Sequence, residues 1–120
     1  MTPDDLDRTT VDLIFALRDS LTDVSRLDFW EGRCVTALQT AAAGASTGGE
    51  AVSIAARKLQ IDGFGVEPSR VVARVAAAID TDYAAWAEHV AATGIYLVAL
   101  ARVENAAKKA AKAATEEPMF

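Results

Sequence analysis

Cys34 and His89 are the single thiol and the single imidazole in 120 residues, so cysteine–histidine chemistry has one pair to draw on. Such chemistry needs an activated thiol with the imidazole in hydrogen-bond reach. Cys34 instead recurs at helical spacing with Leu27, Trp30, Leu38 and Ala41, an apolar stripe on which free cysteine is a small buried hydrophobe. His89 falls at the edge of the stripe of its own helix. Both are read as structural: no catalytic residue is expected, and the chain is read as a non-enzyme.

Metal and phosphate sites fare no better. A di-metal helical bundle needs Glu-x-x-His spacing, which sets both ligands on one face. Glu88 and His89 are adjacent, about 100° apart on a helix, and cannot share an ion in that way. One cysteine excludes a disulfide framework and a cysteine-built zinc site within one chain. The run Gly44 to Gly49 carries Glu50 where a phosphate loop needs lysine, and no strand signal precedes it. No metal and no cofactor are expected.

The elements that must position these residues are helices. Alanine supplies 26 of 120 residues, and it loses no side-chain entropy on entering a helix. A chain of this length that is 52% hydrophobic holds one core, so we expect an all-α fold. It should be a compact bundle of about five helices with a long C-terminal helix, a single domain over 1–114 and a short tail over 115–120.

Thr2, Pro3, Asp4 and Asp5 form a helix start, with Leu6, Thr10, Leu13, Ile14, Leu17, Leu21 and Val24 on one stripe behind it. Val11 and Phe15 fall on the other side and are read as a second contact surface. A second helix is expected from near Ser25 to Gly44, with a kink or boundary allowed at Gly32. Thr47 and Glu50 have capping-box spacing for a third helix through Leu59, stopped at Gly63 with a turn through Val66. Pro68 should open a fourth helix bearing Val71, Val72, Val75 and Ile79. From Asp82 to about Ala114 only Gly94 interrupts the pattern, so one helix of roughly 48 Å is expected. The core should include Leu13, Leu17, Trp30, Leu38, Val75, Ile79, Trp86, Val90, Leu97 and Leu100.

Trp30-Glu31-Gly32 is similar to the Trp-x-Gly tripeptide of the small helical-hairpin proteins exported by type VII secretion. Five helices, and the lack of an acid four residues after Tyr83 or Tyr96, depart from that family. None of its properties is carried over.

Charge narrows the partner. Residues 1–31 hold eight acids against Arg8, Arg18 and Arg26, which accounts for the whole net charge of −5. A sequence pI near 4.7 argues against nucleic acid as a direct partner. The longest apolar run, Val90 to Ala101, is shorter than the roughly 20 residues of a membrane span. The N-terminus is acidic, unlike a secretory signal, so no membrane partner and a cytoplasmic location are expected.

Ile95 to Val103 is apolar nearly all round, more than one side of a small bundle can cover. The leading reading is therefore a non-enzymatic helical interaction or assembly subunit, a structural or adaptor component that binds itself or another protein. Its interface is expected at Val11, Phe15, Ile95, Tyr96, Val98, Ala99 and Val103. A phage or defence-system complex is one such setting, and no residue selects it. The alternative is an acidic inhibitor or regulator that offers its N-terminal negative face to a basic protein surface. A third reading, a small-ligand bundle, would need Tyr83, Trp86 and His89 to converge on a cavity.

Overall fold

In the computed structural model, residues 2–20, 30–61 and 70–115 are described, and they contain six α-helices and no strand. These are α1 (Pro3–Asp19), α2 (Trp30–Gly44), α3 (Gly48–Ile61), α4 (Arg70–Asp80), α5 (Tyr83–Ala92) and α6 (Gly94–Thr115). The fold is an all-α bundle ending in a long helix.

The start of α1 is the one its sequence specifies. Asp5 donates its backbone N–H to the Thr2 hydroxyl at 3.1 Å, and the Asp5 carboxylate accepts the Thr2 N–H at 3.0 Å. This closes a capping box on two otherwise orphaned donors, with Pro3 in the first turn. The same N–H holds the Asp5 carboxyl below its ordinary range. Leu6, Thr10, Leu13, Ile14 and Leu17 are all buried, while Leu21 and Val24 lie outside the described residues.

α1 and α2 form the middle of the bundle. α1 packs against α2, α4, α5 and α6, and α2 packs against α1, α3, α5 and α6. Contact on several sides explains why α1 buries more than one stripe. Val11 and Ala16 join the core, so Val11 belongs to the chain's own packing rather than to an exposed second face.

α2 runs from Trp30 through Gly32 without a break, and its expected start near Ser25 lies outside the described residues. α3 opens as its sequence suggests, with the Glu50 N–H donating to the Thr47 hydroxyl at 3.1 Å. Gly48 lets α3 approach α4 closely: its N–H donates to the Asp80 carboxylate, and a Cβ there would collide with the Ala76 carbonyl. The turn expected at Gly63–Val66 and the helix start at Pro68 fall outside the described residues.

The expected single helix from Asp82 to Ala114 is two helices, α5 and α6, bent by 88°. The Thr93 N–H and hydroxyl both donate to the His89 carbonyl, at 3.0 and 2.6 Å. The Val90 carbonyl accepts from the Gln39 side-chain amide of α2 at 3.2 Å. The Val90 carbonyl is thus satisfied from outside the helix ladder, and the Thr93 carbonyl then accepts the Leu97 N–H to begin α6. A Cβ on Gly94 would overlap the Gln39 amide, so glycine is what lets α2 reach the break.

The expected core is largely observed. Leu13, Leu17, Trp30, Leu38, Ile79, Trp86, Val90 and Leu97 are buried. Val75 and Leu100 are half-buried at its edge.

Candidate functional site

Cys34 is fully buried in α2, and desolvation, with Glu31 adding to it, pushes its thiol up to about 12. At neutral pH it is a protonated apolar side chain. His89 turns instead to α1, with Nε2 at 2.5 Å from the Asp7 carboxylate.

The polar tips of Tyr83, Trp86 and His89 turn to three different partners. The Tyr83 hydroxyl donates to the Ala42 carbonyl of α2 at 3.1 Å. The Trp86 indole N–H donates to the Thr10 hydroxyl of α1 at 3.0 Å. Burial raises the Tyr83 hydroxyl above its ordinary range, and the nearby Glu50 charge adds to this. Each polar tip is spent fastening α5 to a neighbouring helix. Among the described residues no three His, Cys, Asp or Glu side chains are grouped to hold a metal ion.

The feature that stands out is the outer face of α6. Ile95 is 91% exposed and Val103 69%, with Tyr96 half in solvent and Ala99 open between them. Val98 is half-buried against the core, so it forms the inner margin of this face. α6 lies on the periphery of the bundle, which leaves this side uncovered. Large exposed apolar side chains grouped on one helix are uncommon on monomers, unlike scattered single ones such as Ile61 at the end of α3.

The surface around these residues is concave. An open hollow of about 610 Å³ lies at the α5–α6 bend, lined by Gln39, Ala92, Gly94, Ile95, Tyr96 and Ala99. Another, of about 470 Å³, lies between Ile95, Val98, Ala99 and Arg102. On the other flank, a groove of about 330 Å³ separates α1 from α6. Val11 and Leu100 lie in it, and Asp4, Asp7, Arg8 and Glu104 make it polar. Arg8 spans the groove to Glu104 at 2.9 Å, which raises the guanidinium above its ordinary range.

Of the seven residues expected at an interface, Ile95, Tyr96, Ala99 and Val103 share the exposed face. Phe15 is half-buried, its ring edge-on to Trp30 with centroids 5.2 Å apart and the Lys108 ammonium 3.8 Å from its centre. It is already covered from two sides by its own chain. Ala106 and Ala110, not anticipated, extend the face along α6, and their signal was the three–four spacing that continues from Tyr96.

Comparison with family models, curated proteins and solved structures gave no significant match. No single helix among the described residues is long and apolar enough to cross a membrane.

Proposed function

We propose that this protein is a non-enzymatic assembly or adaptor subunit that docks onto another protein surface through the outer face of α6. The observation that carries the reading is the grouping of Ile95, Tyr96 and Val103 in solvent on one peripheral helix. An exposed aliphatic side chain of this size forgoes roughly 1.5–3 kcal/mol that burial would recover. The alanines beside them allow close approach of a partner helix.

The alternative, an acidic inhibitor working through α1, rests on fewer groups. Asp5 closes the helix cap, Asp7 faces His89, and Arg8 engages both Asp12 and Glu104. Much of the negative charge on α1 is therefore occupied within the chain.

Size-exclusion of the tagged chain from cells of its source organism tests the docking reading. The wild type should elute in a complex larger than one chain, and Ile95→Glu should elute as the free, folded chain. Elution of both as free chains would overturn it.

A further inference from the structure

The exposed face of α6 has one charged edge. Ile95, Tyr96, Ala99, Val103, Ala106 and Ala110 form an exposed, uncharged strip along the helix. Arg102 and Lys109 border it on the side of Ile95 and Val98, seven positions and about 10 Å apart along the axis. Both are exposed, and among the described residues neither is in an ion pair, unlike Arg8 and Arg18. The two hollows on this face hold no charged group except Arg102. On the opposite edge stand the neutral Leu100 and Ala107, before a groove in which Glu104 already holds Arg8.

The strip and its edge define the chemistry of the occupant. Resting on the reading of α6 as the docking face, we infer that it receives an amphipathic helix of another protein. That helix has an apolar seam and, along one side, carboxylates seven residues apart that meet Arg102 and Lys109. Charges beside an apolar seam select the partner in paired helices, and this seam has cations on one side only. Ala99, Ala106 and Ala110 let the second helix lie close along α6. A large apolar side chain of that helix fills the hollow of about 470 Å³ beside Ile95, while a carboxylate takes the Arg102 guanidinium at its rim.

Two other occupants fit this face less well. A second copy meeting it with its own α6 strip brings no carboxylate to Arg102 or Lys109, since that strip is uncharged and its one charged edge is basic. A helix lying on an anionic membrane sinks bulky apolar side chains into the acyl boundary. Beyond Val103 this face offers only alanine, too short to reach there.

A photo-crosslinking amino acid at the exposed position of Ala106, in the full chain added to source-cell extract, reads the occupant directly. The linked peptide, sequenced by mass spectrometry, should have apolar residues in steps of three and four and acids seven apart beside them. A synthetic peptide of that segment should bind the wild type. Arg102→Glu with Lys109→Glu should keep the helical circular dichroism and weaken that binding at least about tenfold at low salt, by placing acids against acids. Exchanging the two acids of the peptide for lysines should restore binding to the charge variant. A link to this chain itself, to lipid or to a segment without such acids overturns the acidic helix as occupant. So does a complex that forms without any link at Ala106, or equal binding of the peptide by wild type and charge variant. The docking reading is judged separately: it fails if the wild type elutes from extract as the free chain, whatever the charge variant does.

Discussion

The indole N–H of Trp86 donates to the Thr10 hydroxyl at 3.0 Å, and that hydroxyl donates in turn to the Leu6 carbonyl at 2.7 Å. Both side chains are fully buried, so one hydroxyl satisfies the only polar atom of the largest core residue and fixes α5 against α1. Thr10→Val keeps the shape and removes the acceptor. It should cost about 1–3 kcal/mol, the penalty for an unpaired buried donor. Trp86→Phe in the Thr10→Val background should recover part of that loss in a denaturant double-mutant cycle; strictly additive losses would show that the pair is not coupled.

Leu97 is fully buried one turn beyond the bend that starts α6. Leu97→Ala should lower unfolding free energy by about 2–5 kcal/mol. A loss below about half a kilocalorie would mean that α6 is not anchored through this side chain.

Three glycines separate packing from propensity. Gly48→Ala should destabilise by about 1–3 kcal/mol, because its Cβ would press on backbone at Ala76 rather than on a movable side chain. Gly32→Ala places a methyl group in open space within α2 and should stabilise by about 0.5–1 kcal/mol. Gly49 has no neighbour that a Cβ would meet, and its alanine variant should not be destabilised. Equal effects at Gly48 and Gly49 would contradict the close approach of α3 and α4.

How much of this was legible depends on range. The Thr2 cap and the Thr47 cap could be read because each lies within four residues of its partner, whereas the reciprocal bond from the Thr2 N–H to Asp5 came from the structure. The stripes of α1 and α2 were legible because core burial follows helical period. The break at Thr93 was not, since Gly94 alone weakens a helix by only about 1 kcal/mol. What ends α5 is the Gln39 amide, 51 positions before the Val90 carbonyl it caps. The burial of Val11 was not legible for the same reason: a surface to one helix is interior to a bundle that packs around it. The α6 face was legible as surplus apolarity, but its exposure became visible only when α1 and α2 proved to be the middle of the fold.

Cys34 supplies a pH test. Its folded-state thiol is raised to about 12 from an ordinary value near 9, so folding favours the neutral form. That contribution is intact below about pH 9 and is lost as pH climbs towards 12. Wild-type stability should therefore fall more steeply than that of Cys34→Ala across this window. A thiol reagent at pH 8 should modify the unfolded chain and spare the folded one; rapid labelling of native protein would contradict the burial.

The most direct test of the docking face compares two exposed apolar sites carrying the same added charge. Ile95→Glu with Val103→Glu alters the outer face of α6, and Ile61→Glu alters the far end of α3. All of these side chains are largely in solvent, so both variants should keep the helical circular dichroism of the wild type. In size-exclusion of source-cell extract, the α6 variant should shift to the free chain while Ile61→Glu stays in the wild-type complex. Elution of the α6 variant with the wild-type complex would contradict the account.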